Sequence, residues 1–358
     1  MAYTLGLKQD AEKVLDRFEA FFQGEILDRA LVSMTVVKDG APEAEPEPAY
    51  PSMEARWLDV DGRAERLDRD IRRYEFYGDA LPICWPNMGP EIFSACCGCG
   101  YEYGQDTTWS IPAIENWDRD EGKVGFDPEH PLWKATLRFA ERLIGLSQGR
   151  YIVGLTDFHP GGDHLTALRD PANLAMDLFD NPDKVKALTA RSYPEYFAAY
   201  NQMRDLVADA GHPATTWLPA ATFRKFYVPS CDFSALISSD QFEEFFLPGI
   251  HEECRFYDRS IYHMDGPGQI RHLDLILSIP NLHAIQWVCG AGHEELAQWI
   301  PLLKRMRSGG KGIMVYCAAK ELDLVFGNFR PEGVWIYPTD VTDEETARAV
   351  LKRVERWK

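Results

Sequence analysis

The chain has 358 residues, 45% hydrophobic and 26% charged, a balance that builds a globular protein with a core of its own. Its 56 acidic residues outnumber 38 basic ones, and the net charge of -18 excludes nucleic acid as a general partner. No apolar run reaches the roughly 18 residues of a membrane span, and residues 1–10 carry no basic start before an apolar stretch, so the expectation is a cytoplasmic protein with no membrane partner, its cysteines present as thiols.

In chain order, residues 8–23 place Ala11, Val14, Leu15, Phe18 and Phe22 at helical spacing, and residues 31–37 read as a buried strand. Residues 40–51, GAPEAEPEPAYP, are acidic and proline-rich and predict an exposed loop. Further on, a strand at 151–155 precedes a long helix over 183–210, and 261–263 precedes 270–277. A strand at 284–288 precedes a helix at 294–306, 313–317 precedes a shorter connection, and 334–337 leads into a terminal helix at 343–357. Short apolar strands alternating with helices imply a parallel sheet with helical crossovers. Their number predicts one α/β domain over residues 1–358, a (β/α)8 TIM barrel with an N-terminal helical extension.

In such a barrel the residues just after each strand share one mouth, where the chemistry is done. That rule selects Asp79, Asp157, His159, Trp217, Asp232, His263, Asp265, Trp287, Cys289, Cys317, Thr339 and Asp340. The segment DFHPGGDHLTALRD, residues 157–170, has neither phosphate-binding glycine pattern and predicts a mobile rim loop offering Asp157, His159, Asp163 and His164, with Arg169 as an anchor for a substrate carboxylate. The CCxC run of Cys96, Cys97 and Cys99 lacks zinc-knuckle spacing and predicts a glycine-flanked loop lining the pocket with inert or redox-sensitive thiols.

The run PSCDFSALISSDQFEEFFLPGI, followed by YHMDGPG, resembles the uroporphyrinogen decarboxylase superfamily, which includes zinc-dependent methyltransferases working with corrinoid proteins and thiols. The match covers about 65 residues through Asp232, Ile237, Ser238, Phe242, Pro248, His263 and Gly266. The arginine-rich N-terminal segment of the porphyrinogen decarboxylases is absent, Lys38 and Asp39 standing after the first strand, so uroporphyrinogen itself is a poor substrate for an acidic chain. The family's two zinc thiolates are absent as well. His263-Met264-Asp265 and Pro338-Thr339-Asp340 occupy their places.

The resemblance implies a methyltransferase moving a methyl group between a small substrate and a corrinoid or thiol acceptor. The alternative is a decarboxylase or other lyase on a small carboxylated substrate, with Asp232, His263 and Asp265 as acid and base and no cofactor. Under the first reading zinc would be held by His263 with Cys289 and Cys317 as replacement thiolates, or shared by His263 and Asp265. Under the other, the cysteines are core residues. Asp79, Asp157, His159, Arg169, Trp217 and Trp287 are the expected substrate contacts. The partners implied are a small-molecule substrate, a corrinoid-carrying protein and a second copy of the chain in a homodimer.

Overall fold

The computed structural model describes residues 3–358. Eleven strands are present among them: β1 (Leu31–Val37), β2 (Tyr74–Gly78), β3 (Ile83–Cys84), β4 (Gly100–Tyr103), β5 (Thr108–Ile111), β6 (Ile152–Val153), β7 (Phe226–Tyr227), β8 (Arg259–Asp265), β9 (Ala284–Val288), β10 (Gly312–Cys317) and β11 (Val334–Pro338). Seven form one sheet in the order β2-β1-β11-β10-β9-β8-β7. Every neighbour pair in it is parallel except β1 with β2. Parallel order demands crossovers, and long helices supply them.

The helix Pro182–Asp209 buries Val185, Leu188, Ser192, Tyr196, Tyr200, Met203 and Val207, the three-and-four spacing of one buried helix face. The terminal helix Glu344–Arg356 starts where Asp343 accepts the Thr346 N–H and buries Ala347, Val350 and Val354.

The ladder is open among the described residues, whereas the strand pattern predicts a closed ring. β3 and β6 form a separate parallel pair, and β4 and β5 an antiparallel hairpin. β3, β6 and β7 are two residues long, which leaves few ladder bonds on that side. Single backbone bonds bridge part of the gap, from Gly154 N to Cys84 O and from Leu155 N to Thr215 O, each at 2.8 Å.

One apolar cluster gathers Leu31, Ile152, Phe226, Ile261, Ala284, Met314 and Trp335, from near the starts of β1 and β6 to β11, around Val14, Phe18, Phe21 and Phe22 of the helix Ala11–Phe22. That helix seals the amino ends of the strands. Phe18 and Trp335 meet edge to face with ring centroids 5.1 Å apart, and Trp335 Nε1 donates to Ser33 Oγ at 2.9 Å. Each such buried aromatic contributes about 1.5–3 kcal/mol. With the amino ends closed, the carboxyl ends remain for a site.

Residues 41–50 form neither helix nor strand. Their glutamates nonetheless face arginines of the two helices that follow: Glu47 pairs with Arg56 and Arg66, and Glu45 with Arg69.

Candidate active site

Three segments converge at the carboxyl ends of the strands. Residues 154–160 leave β6 and enter the helix Gly161–Arg169. Gly162 permits this entry, because a Cβ there would run into Cys231 Sγ. Beyond β7, Ser230 bridges to His263 in parallel, and Asp232 opens a 3₁₀ turn, Asp232–Leu236. At the end of β8, His263 and Asp265 share a face, since side chains alternate along a strand.

On one side lies a relay. His159 Nε2 is 2.8 Å from Asp157 Oδ1 and its Nδ1 is 3.2 Å from Ser230 Oγ, while Ser230 Oγ donates to Asp163 Oδ2 at 2.9 Å. Phe233 N–H donates to the other oxygen of Asp163. Both ring nitrogens of His159 thus face acceptors, the arrangement of an imidazolium. Burial alone would depress its pKa, but Asp157, helped by Asp163 and Asp232, outweighs burial and lifts it to about 9. Burial, then the Asp232 charge, pushes Asp163 up to about 6 against the pull of His159.

On the other side His263 is neutral. Gln286 Nε2 donates to Tyr316 OH at 2.6 Å, which turns Gln286 Oε1 toward His263 Nδ1 at 2.8 Å. The proton therefore sits on Nδ1, and Nε2 keeps its lone pair. Burial holds the His263 pKa below its ordinary value, with the Gln286 bond opposing. Trp217 sets the ring edge to face at 5.2 Å.

Ligand-capable atoms of Asp232, His263 and Asp265 lie within 4.8 Å of one another. Burial raises the Asp232 pKa; the His159 charge and the hydrogen bond from Gln269 oppose it, and the Asp265 charge adds to it. Asp157, His159, Asp163, Ser230, Asp232 and His263 line a cleft of about 460 Å³, together with Glu91, Trp217 and Phe233. Four acids face this space, so it favours neutral or cationic ligands over anions.

Several expected site residues stand elsewhere. Asp79 is fully buried and bonded to Arg17, Arg29 and the Val32 N–H. It follows β2, which is antiparallel to β1, so it lies at the amino ends and not at the mouth. Arg169 is spent on Asp177 and on the carbonyls of Ile114 and Glu115, which leaves it unable to anchor a carboxylate in the cleft. Trp287, Cys289 and Cys317 line a second cleft and are not brought to His263. Trp287 follows Gln286 and so points to the opposite face of β9.

The expected rim loop 157–170 is mostly helix, and Asp163 and His164 stand in its first turn. Cys96, Cys97 and Cys99 are buried at the end of the helix Ile92–Cys96 and do not line the cleft. Burial pushes the Cys96 and Cys99 thiols up to about 12, so they are inert.

Ser230, Gln269 and Gln286 complete the site and were not selected from the sequence. Gln286 had a signal: it is the one polar residue in the strand AIQWV, in register with His263. Ser230, beside a proline in irregular chain, had none.

No protein-family model matches the chain, and no curated protein does. Among solved structures it is similar to a methyltransferase from Methanosarcina mazei, with a TM-score of 0.58 at 11% identity, over 95% of this chain and 97% of that one. At that identity the two share a fold, an α/β architecture over nearly their whole lengths, and the chemistry must be argued from the site itself.

Proposed function

We propose that the chain is a methyltransferase of the uroporphyrinogen decarboxylase-like superfamily, a (β/α)8 barrel moving a methyl group between a small substrate and a corrinoid or thiol acceptor. The observation that carries this reading is the Asp232, His263 and Asp265 cluster at the carboxyl ends of parallel strands, in a fold shared with a methyltransferase. The apolar cluster fed by strands from β1 to β11 supports the barrel.

A divalent cation fits the cluster on two counts. His263 offers an Nε2 lone pair with its other nitrogen fixed by Gln286, and the mutual repulsion of Asp232 and Asp265 would be relieved by positive charge. Zinc accepts such nitrogen and oxygen ligands and would retain an open position. When bound, it would polarise a coordinated substrate atom.

The remaining steps belong to the protein. The methyl carbon leaves the donor heteroatom with the acceptor's electron pair forming the new bond, and the heteroatom takes a proton. Asp232, its pKa raised by burial and open to the cleft, supplies that proton when no cation is held; with a cation on the cluster it is an ionised ligand, and the His159 imidazolium on the same cleft is the proton source. The His159 imidazolium, locked by Asp157 and the Ser230 to Asp163 relay, provides a fixed positive charge that offsets the acids around it. The acidic wall counts against the decarboxylase or lyase reading, because it repels a carboxylate substrate.

The test supplies purified protein with O-, N- and S-methyl donors and free cob(I)alamin or 2-mercaptoethanesulfonate, and follows methylated product by absorbance and mass spectrometry. Transfer from one donor class, lost in Asp232→Asn and His263→Ala, is the expected result. Failure with every donor, alongside release of carbon dioxide from carboxylated substrates, would overturn the reading.

A further inference from the structure

The first cleft holds more acid than the protein itself neutralises. Glu91, Asp157, Asp163 and Asp232 line it, no lysine or arginine does, and Asp265 joins Asp232 at one end, with ligand-capable atoms within 4.8 Å. His159 is the one imidazolium among them, and it is paired with Asp157. Even with a divalent cation on the Asp232, His263 and Asp265 cluster, these five acids would face only three positive charges. Negative charge is left over.

Part of that excess sits at Glu91, outside the cluster. A backbone bridge to Phe158 sets Glu91 beside the segment that carries Asp157 and His159. One of its oxygens accepts the Ser110 N–H, and the other has no hydrogen bond among the described residues. A second metal ion does not suit this end, because Asp232, His263 and Asp265 are the one group of three ligands close enough to share an ion among the described residues. Pro90, Pro171, Trp217, Phe233 and Leu236 make much of the remaining wall apolar. Acid beside apolar wall selects an organic cation, whose body displaces water while its head meets the carboxylate; an uncharged ligand would leave that carboxylate desolvated and unpaired.

We propose that the small substrate of this cleft is a protonated alkylamine, its N–H groups donating to Glu91 and its alkyl part lying on the apolar wall. The proposal rests on the methyl-transfer reading for the fate of the methyl group, but not for binding. Under that reading the methyl group is carried on nitrogen. The C–N bond breaks with its electron pair staying on nitrogen, and the acceptor's pair forms the new bond to carbon. The amine departs neutral, keeping the proton it brought in place of the one an uncharged donor would take from the cleft.

The test titrates the full-length protein by calorimetry, with no methyl acceptor present and in about 0.15 M potassium chloride to screen distant charges. The probes are N-methylisopropylammonium, isopropyl methyl ether, which removes the charge, and isobutyrate, which reverses it. The ammonium is expected to bind at least about tenfold more tightly than either. Glu91→Gln should weaken the ammonium about tenfold and leave zinc binding unchanged, which also shows that the variant is folded. Glu45→Gln, an exposed acid outside the cleft, should change nothing. The proposal is overturned if the ether or isobutyrate binds as tightly, if Glu45→Gln weakens the ammonium as much as Glu91→Gln, or if the ammonium fails to bind below about 10 mM. Ammonium binding with no transfer to any acceptor would sink the methyl-transfer reading and keep the amine site, whereas transfer from ethers with no ammonium binding would do the reverse.

Discussion

Replacing Asp79 by alanine removes a fully buried carboxylate that accepts from Arg17 Nη1, from both terminal nitrogens of Arg29 and from the Val32 N–H. Arg17 keeps Asp28, at 2.6 and 2.8 Å, so its charge stays paired. Arg29, 5% exposed, is left with the Ala30 carbonyl alone. Breaking a buried pair from one side costs about 3–5 kcal/mol, and the surviving Asp28 contact places this change near the lower end, about 3 kcal/mol. A 358-residue chain unfolds with an entropy of about 750 cal/mol/K, so the expected drop in Tm is about 4 °C. Differential scanning calorimetry measures it, and Asp79→Ala with Arg29→Met should recover part of the loss by removing the stranded charge. A Tm within about 1 °C of the parent, joined to loss of ligand binding in the first cleft, would return Asp79 to the mouth and refute the assignment.

Other outcomes follow from the same geometry. Gln286→Leu should weaken zinc binding about 10–100-fold by freeing the His263 ring, whereas Cys289→Ser and Cys317→Ser should leave it unchanged; competition with a chromogenic chelator decides, and a larger loss in either cysteine variant would contradict the ligand set. Burial lifts the folded-state pKa of Glu253 to about 8 and the neighbouring acids lift that of His159 to about 9, both above the unfolded values. The stability each adds is complete below its unfolded pKa and is lost as pH rises through the folded one, so urea midpoints should fall between about pH 4.5 and 9, more shallowly in Glu253→Gln. Gly162→Ala should cost about 1–3 kcal/mol through the clash with Cys231 Sγ, and Gly162→Ala with Cys231→Ala should regain most of it in chemical denaturation.

The legible parts of the chain were those where period and burial agree. The helix Ala11–Phe22, β1 and β9 lie where their apolar spacing predicts, and alternation alone put His263 and Asp265 on one face. The rule that residues after strands face one mouth brings Asp157, His159, Trp217, Asp232 and His263 to one cleft, leaves Trp287, Cys289 and Cys317 on a second, and fails at Asp79, because nothing in YGDALP marks β2 as antiparallel. The helix Gly161–Arg169 was hidden by its two opening glycines, which read as loop although Gly162 is there for packing against Cys231. Arg169 looked free in sequence, and only tertiary structure brings it to Asp177 and two carbonyls. Gln286, the residue that fixes the tautomer of His263, is a lone polar position whose meaning depends on register with a strand more than 20 residues away.

The seal between the helix Ala11–Phe22 and Trp335 also bears on how the protein is made. Phe18 and Ser33 leave the ribosome some 300 residues before the indole that meets them. At about 5–20 residues per second the nascent chain carries Phe18 without its indole partner for tens of seconds. Contacts of such long sequence separation also close late in refolding from denaturant. Truncations that end before β11 would uncover the edges of Phe18 and Phe21 that Trp335 meets, while Phe22 keeps Phe226, and are forms of this protein prone to aggregate.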